Sequence, residues 1–136
     1  MQPDANKELV RRFWAAMWAA DPAHALEGVV TPDVAFRGTL GMRVRGPEGV
    51  AGYVRAVLAA FPDYHAAIEE MVAEDDRVAA RMHFTGTHQG EALGCPPTGR
   101  KVEYAGMALA RIRGGVIAEM WVVGDTLSLR EQLEGR

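Results

Sequence analysis

The spacing of hydrophobic residues changes from helical to alternating at Pro62, and this change restricts the folds available to the chain. Before Pro62, the segment 46–61 has a Gly-Pro-Glu start signal and one apolar stripe, as expected for an amphipathic helix. After it, apolar residues occupy every second position of the segment 78–84, which indicates a half-buried strand. The stripe consists of Val50, Tyr53, Val54, Val57, Leu58 and Phe61, and the strand face of Val78, Ala80, Met82 and Phe84.

The other segments extend this order of helices first and strands later. The predicted elements are a helix from Pro3 to about Ala20, a short helix from about Pro22, an extended piece at 31–36, the helix at 46–61, a hairpin around an acidic turn at 74–76, strands at 101–112 and 116–123, and a short helix from about Thr126. We therefore expect a single α+β domain over residues 1–136. Its mainly antiparallel sheet would curve around the N-terminal helices and leave a hollow at the open end.

Charge and cysteine content exclude several classes of protein. The net charge is −3, and the 24% of charged residues are interspersed rather than blocked, which argues against a nucleic-acid partner. The single cysteine, Cys95, has no partner for an internal disulfide. The first 14 residues lack the long apolar core of a signal peptide or membrane anchor. We expect a cytoplasmic protein without a membrane partner.

Four stretches carry a resemblance to a known family. They are "GPEGV" at 46–50, "GTHQGEALGCPPTGRKVEYAG" at 86–106, "GGVIAEMW" at 114–121 and "DTLSLREQL" at 125–133. Together with the early helices, they resemble the SnoaL-like polyketide cyclases of the nuclear-transport-factor-2-like superfamily. The resemblance implies a cone-shaped α+β fold with a deep pocket and a homodimer formed through the outer face of the sheet. It does not imply one reaction, because the superfamily includes isomerases, dehydratases, hydrolases and non-catalytic binders.

The chain departs from the family at the position that matters most for chemistry. In the family's cyclases, an aspartate on the last strand acts as acid or base, in a pattern like E-H-W-D-x-x-D. Here that aspartate is replaced by Val122, and two further positions that are polar in the cyclases are Gly106 and Ala108. Valine exchanges no proton, so a ring closure through an enolate would need another acid/base group. The resemblance thus predicts a pocket wall less polar than in the cyclases.

Three residues are candidates for the missing acid/base role: Asp125, His88 and His83. Asp125 directly precedes the last helix, so its alternative role is a helix N-cap. Each histidine has the alternative of a partly buried ring bonded to backbone, and a spacing of five residues places the two on opposite strand faces. A shared zinc site is therefore not expected, and we predict no metal and no organic cofactor. Cys95 fits a small apolar side chain better than a nucleophile.

The ligand-lining residues follow from the predicted cone. The expected wall consists of Trp14, Phe36, Tyr53, Tyr104, Met120 and Val122. Trp121 and Val123 alternate with the inward residues and should face outward, where an apolar sheet face favours a homodimer. Arg37 and Arg43 flank the extended piece near the rim, either as exposed charges or as contacts to an acidic group of the ligand.

Three hypotheses of function remain from the sequence. The first is an enzyme that performs cofactor-free cyclisation, isomerisation or hydrolysis on a small apolar or polycyclic ligand. The second is a non-catalytic carrier that binds such a ligand in the same pocket. The third is a subunit that only dimerises or docks another protein, and it predicts a hollow filled by the chain's own side chains.

Overall fold

The computed structural model describes residues 3–135, and within this range the chain forms four helices and six strands. The elements in chain order are α1 (Pro3–Met17), α2 (Pro22–Ala25), β1 (Val30–Arg37), β2 (Arg43–Arg45), α3 (Gly46–Ala60), β3 (His65–Glu74), β4 (Arg77–Thr87), β5 (Lys101–Arg113), β6 (Val116–Gly124) and α4 (Thr126–Glu134). This order confirms the predicted α+β class, with helices followed by a curved, unclosed sheet.

The six strands form one sheet in the order β2-β1-β6-β5-β4-β3. Four of the five neighbouring pairs are antiparallel, as predicted, and β1 pairs with β6 in parallel. The last strand therefore lies in the middle of the sheet, between β1 and β5. This position places the segment 116–124 at the centre of the wall that faces the helices.

The core lies between the inner face of the sheet and the helices α1 and α3. The predicted strand face of β4 is buried, and so is the stripe on α3 except for Leu58, which is 36% exposed. Helix α1 packs against β3, and α3 packs against β1. The alternation of β4 and the stripe of α3 thus meet in one hydrophobic cluster.

Helix α1 ends at Met17, three residues before the predicted end near Ala20. The reason lies in the next helix, because the Asp21 side chain accepts a hydrogen bond from the His24 backbone N–H and caps α2. An N-cap residue has non-helical backbone angles, and Asp21 has φ −124° and ψ 85°. The chain must leave α1 before it can take up that conformation.

Helices of the described chain are too short or too polar to cross a membrane.

Candidate functional site

The three tyrosines of the chain meet inside the molecule. Tyr53 lies on α3, Tyr64 immediately before β3, and Tyr104 on β5. The Tyr64 and Tyr104 hydroxyl oxygens are 2.6 Å apart, and Thr39 Oγ1 lies 3.1 Å from the Tyr104 hydroxyl. Three separate parts of the fold therefore bring their hydroxyl groups into one network, which we call the tyrosine cluster (Thr39, Tyr53, Tyr64 and Tyr104).

The hydroxyl groups of the tyrosine cluster are hydrogen-bond partners of one another. Either oxygen can be the donor in the Thr39–Tyr104 pair and in the Tyr64–Tyr104 pair, and the Tyr53 hydroxyl also interacts with Thr39. An O–H of the cluster can therefore turn toward an acceptor on a bound molecule. Such a donor is suited to a carbonyl oxygen or to the enolate that forms from it.

Burial keeps the tyrosines in their neutral, donating form. Desolvation raises the pKa of Tyr104 to about 12, although the hydrogen bonds with Thr39 and Tyr64 oppose that rise. Desolvation also raises the pKa of Tyr64, and the neighbouring Tyr104 adds to the effect. The pKa of Tyr53 is raised by burial as well. Near neutral pH all three are acids and hydrogen-bond donors, and none is a base.

Two cavities border the tyrosine cluster. The inner cavity has a volume of about 10 Å³, and the outer cavity has a volume of about 190 Å³. The inner cavity is lined by Trp14, Met17, Trp18, Phe36, Thr39, Tyr53, Tyr64, Phe84 and Val122. The outer cavity is lined by Thr39, Leu40, Met42, Tyr53, Ala56, Val57, Ala60, Phe61, Tyr64, Glu91, Ala92, Leu93 and Tyr104.

The Tyr64 ring stands between three open spaces. It lines the inner cavity, the outer cavity and a groove of about 490 Å³ between α1 and β3. The inner cavity has room for about one water molecule, and a pocket for a small-molecule ligand usually measures roughly 300–1,000 Å³. Neither cavity alone has that size, so the predicted deep pocket stays a prediction that requires the Tyr64 ring to move.

Two glycines make room for the aromatic rings in this interior. A Cβ atom at Gly106 would lie 2.6 Å from Phe84 Cε2, so the Phe84 ring fills the space beside a position that is polar in the family's cyclases. A Cβ atom at Gly38 would collide with the Tyr53 ring and hydroxyl. A glycine inside a strand, as Gly106 is in β5, commonly marks such a close approach. The Phe84 ring therefore makes the interior beside Gly106 apolar.

The residues predicted to line a ligand site divide into three groups. Trp14, Phe36, Tyr53 and Val122 line the inner cavity, where Val122 is 1% exposed. Tyr104, like Tyr53, lines the outer cavity. Met120 is fully buried in the core and lines neither cavity. The inward orientation of Val122 leaves an aliphatic surface where the cyclases carry their aspartate.

Two of the three predicted acid/base residues lie away from both cavities. Asp125 is exposed, and its carboxylate accepts a hydrogen bond from the Ser128 backbone N–H at 3.1 Å, which caps α4. His83 lies on the outer face of the sheet, with its Nε2 atom 3.4 Å from the Glu103 carboxylate. The geometry does not bring these side chains together, and their catalytic roles stay predictions.

His88 is fully buried beyond the end of β4. Its Nδ1 atom accepts a hydrogen bond from the Thr98 backbone N–H at 3.2 Å and lies 3.0 Å from the Thr98 hydroxyl oxygen. The imidazole packs against Phe61, a lining residue of the outer cavity, at 5.7 Å between ring centroids. His88 therefore supports the loop that follows β4 and touches the cavity through Phe61.

The sequence reasoning missed three residues of this site: Thr39, Tyr64 and Glu91. Thr39 and Tyr64 lie in short connections without a repeating pattern. Glu91 is the one carboxylate among the described residues that line the outer cavity, and its Oε2 atom accepts a hydrogen bond from the Gly94 backbone N–H at 3.0 Å. The one usable signal was "GEALG" itself, an acidic residue between two loop glycines.

One protein-family model matches most of the chain. The model of the SnoaL-like polyketide cyclases matches residues 8–133. The chain belongs to the SnoaL-like polyketide cyclase family. IdmH from Streptomyces antibioticus, a candidate polyketide cyclase, is 30% identical, with 95% of this chain and 98% of that chain covered and a TM-score of 0.79.

Other solved structures share the SnoaL-like fold. AclR from Streptomyces galilaeus, a candidate hydroxylase, is 29% identical over 96% of this chain and 82% of that chain, with a TM-score of 0.76. A candidate SnoaL-like polyketide cyclase from Jannaschia sp. CCS1 has a TM-score of 0.86 at 23% identity, with 98% of this chain and 94% of that chain covered. No curated protein gives a significant match. The names of these solved structures suggest different kinds of chemistry.

Side chains that could hold a metal ion do not gather in the described part of the chain, where no group of three or more histidine, cysteine or carboxylate residues has suitable geometry.

Proposed function

We propose that the protein binds a small, largely apolar ketone of polyketide type and promotes its enolisation without a cofactor. The observation that carries this proposal is the tyrosine cluster, which presents neutral hydroxyl donors to the inner and outer cavities. A preorganised donor toward a developing oxyanion accounts for about 10²–10³ in rate in well-studied enzymes. The apolar lining around the hydroxyls fits the carbon skeleton of the ligand.

The proposed reaction uses Glu91 as the base and the tyrosine cluster as the donor. The Glu91 carboxylate takes a proton from the carbon next to the substrate carbonyl, and the electron pair moves to the carbonyl oxygen. An O–H of the tyrosine cluster donates to that oxygen. Return of the proton to another carbon completes an isomerisation. Attack of the enolate carbon on a second carbonyl closes a ring, and the resulting alkoxide takes the proton back from Glu91.

Two buried indole groups favour a ligand that is rich in acceptor atoms. Trp14 Nε1 and Trp18 Nε1 have no hydrogen-bond partner within the described chain, and both rings line the inner cavity. A buried donor without a partner costs about 1–3 kcal/mol, which an acceptor on a ligand would offset. The oxygen-rich skeleton of a polyketide supplies such acceptors. Binding would need the Tyr64 ring to swing, which would join the inner cavity to the outer one.

Hydrogen–deuterium exchange of 2-tetralone in D₂O tests the proposal without knowledge of the natural substrate. This bicyclic ketone enolises, and NMR measures the loss of its protons next to the carbonyl. We expect saturable acceleration by the protein, a loss of about 10²-fold in Tyr104→Phe and a comparable loss in Glu91→Gln. Asp125→Asn and His88→Asn in the same assay test the acid/base roles predicted from the sequence.

The outcomes separate an enzyme from a carrier. Exchange that is no faster than in buffer, although 2-tetralone binds, would contradict catalysis and favour a carrier of the same shape. The specific observation in favour of a carrier is that the inner cavity has neither a carboxylate nor a histidine among its described lining residues. Absence of both exchange and binding would overturn the ligand site itself.

We also propose that a second copy of the chain covers the outer face of the sheet. Its exposed apolar side chains are Val72, Met107, Leu109, Trp121 and Val123. Arg43 and Arg45 lie on the edge strand β2, and Glu70 and Glu74 lie on β3 at the opposite edge. A two-fold axis parallel to the strands would place the basic edge of one copy over the acidic edge of the other.

Met107→Glu should convert this dimer into a monomer, because it places a charge in the centre of the apolar face, where Met107 is 52% exposed. Leu127→Glu is the matched control, since Leu127 is an exposed apolar residue on α4. Light scattering after size-exclusion chromatography gives the masses. A monomeric wild-type protein at micromolar concentration, or loss of the dimer in both variants, would contradict the assignment.

A further inference from the structure

A basin with two arginines adjoins the outer cavity. It has a volume of about 380 Å³ and shares Thr39, Leu40 and Leu93 with the outer cavity. Its other lining residues are Arg37, Gly41, Thr126, Leu127 and Arg130. A ligand that fills the outer cavity and extends past Leu40 and Leu93 would enter this arginine basin. The two spaces together offer the room that the outer cavity alone does not.

Main-chain carbonyl groups hold both guanidinium groups in place. Arg37 Nη1 donates to the Val122 carbonyl, and Arg130 Nη1 donates to the Leu93 carbonyl at 3.3 Å. The Arg37 guanidinium also lies 5.4 Å from the centre of the Trp121 ring. Because each guanidinium uses only part of its five N–H donors in these contacts, each retains donors for a ligand. Side chains that are already oriented lose less entropy when they bind.

The positive charge of the arginine basin is not neutralised by its own lining, because none of its described lining residues is acidic. Arg130 lies 3.9 Å from the Glu134 carboxylate, but 46% of the Arg130 side chain is exposed, so this ion pair is weak. The basin is thus a basic surface in a chain with a net charge of −3, and it opens beside an apolar cavity.

We infer that the substrate carries one acidic group, an oxyanion of carboxylate size, and that Arg37 and Arg130 bind it in this basin. The inference rests on the proposed function, because it places the apolar ring system of the same molecule in the outer cavity. Guanidinium groups bind carboxylate-sized oxyanions through paired, charge-assisted hydrogen bonds. The acidic group would also fix which carbonyl of the ring system meets the tyrosine cluster.

Two fluorescent probes with the same ring system test the inference. 8-Anilinonaphthalene-1-sulfonate carries an acidic group, and N-phenyl-1-naphthylamine lacks it. We expect the sulfonate to bind more tightly, and Arg130→Gln and Arg37→Gln each to weaken its binding by about fivefold. Arg43→Gln is the matched control, because it removes the same charge. The Arg43 guanidinium also lies 5.0 Å from the centre of the Trp121 ring, but Arg43 does not line the basin. Arg43→Gln should leave sulfonate binding unchanged.

Different results would contradict the acidic-group site and the ligand site of the proposed function. Equal binding of the two probes, or sulfonate binding that is insensitive to Arg37→Gln and Arg130→Gln, would overturn the acidic-group site alone. Ala56→Trp places a large side chain in the outer cavity from an exposed helix position, so it should weaken the binding of both probes. If the neutral probe does not bind, or binds the Ala56→Trp variant as tightly as the wild type, the ligand site of the proposed function is contradicted. Sulfonate binding that still depends on Arg130 would then support the basin by itself.

Discussion

Val122→Asp is expected to lower the free energy of unfolding by more than about 3 kcal/mol near neutral pH. The substitution restores the carboxylate of the family's cyclases, but in a wall built for an aliphatic side chain. Val122 is 1% exposed and lines the inner cavity beside Trp14 and Phe36. No described lysine, arginine or histidine lines that cavity, and the Arg37 guanidinium is engaged with the Val122 backbone carbonyl. The charge would be buried without a direct ionic partner, and neutral donors such as Trp14 Nε1 would offset only part of the cost.

The destabilisation should depend on pH. Burial raises the pKa of the new carboxyl group in the folded state above its unfolded value of about 3.9, and the neutral donors that line the cavity oppose only part of that rise. A group with a raised pKa in the folded state favours folding at low pH, and that contribution is lost as the pH rises. Val122→Asp should therefore be closer to wild type near about pH 4 than near about pH 7, by up to roughly 4 kcal/mol. Urea denaturation at the two pH values measures the difference.

Two variants separate charge from shape and position. Val122→Asn places a similar polar side chain at the same site without a titrating group, so its effect should not depend on pH in this range. Leu127→Asp places the charge on an exposed residue of α4, where the expected change is within about 0.5 kcal/mol. If Val122→Asp were as stable as wild type at both pH values, position 122 would not face a dry interior.

Tyr104→Phe is expected to destabilise the fold by about 1–3 kcal/mol, although it removes a single oxygen atom. The Tyr104 hydroxyl is the shared partner of Thr39 and Tyr64, so its loss breaks two hydrogen bonds in a largely buried site. Tyr64→Phe removes only one of them and should cost less. Denaturation of both single variants and the double variant forms a thermodynamic cycle.

The effects of the two tyrosine substitutions on the free energy of unfolding should not be additive. After Tyr104→Phe, the substitution Tyr64→Phe should have almost no further effect, because the bond that it removes is already absent. Strictly additive effects of the two substitutions would mean that the hydroxyls do not interact. Met120→Ala is the control, because it also destabilises the core but removes no hydroxyl group. Its effect on the free energy of unfolding should simply add to that of either tyrosine substitution.

The fold could be predicted from the sequence wherever burial repeats along one element. The stripe of α3 and the alternation of β4 depend on local spacing, and both were found in the structure. The alternation around Val122 correctly placed Trp121 and Val123 outward, at 37% and 51% exposure. The parallel pairing of β1 with β6 could not be read in this way, because it joins segments more than eighty residues apart.

The candidate site was harder to predict because its hydroxyls come from unrelated positions. Tyr53 fits the α3 stripe and Tyr104 fits the β5 alternation, so each has a sufficient explanation as a core residue. Tyr64 follows Pro62 and Asp63 in a connection without periodicity. Only the tertiary structure shows that their hydroxyl groups meet.

Titration of tyrosine absorbance tests the central claim most directly, since the chain has no tyrosine outside the cluster. The near-ultraviolet signal of tyrosinate therefore reports on Tyr53, Tyr64 and Tyr104 alone. With the pKa of each tyrosine raised above 10, fewer than half of the tyrosine side chains should be ionised at pH 10 in the folded protein, and unfolding by urea at that pH should increase the tyrosinate signal. Half-ionisation of the tyrosines at pH 10 in the folded protein would contradict an enclosed cluster of neutral donors.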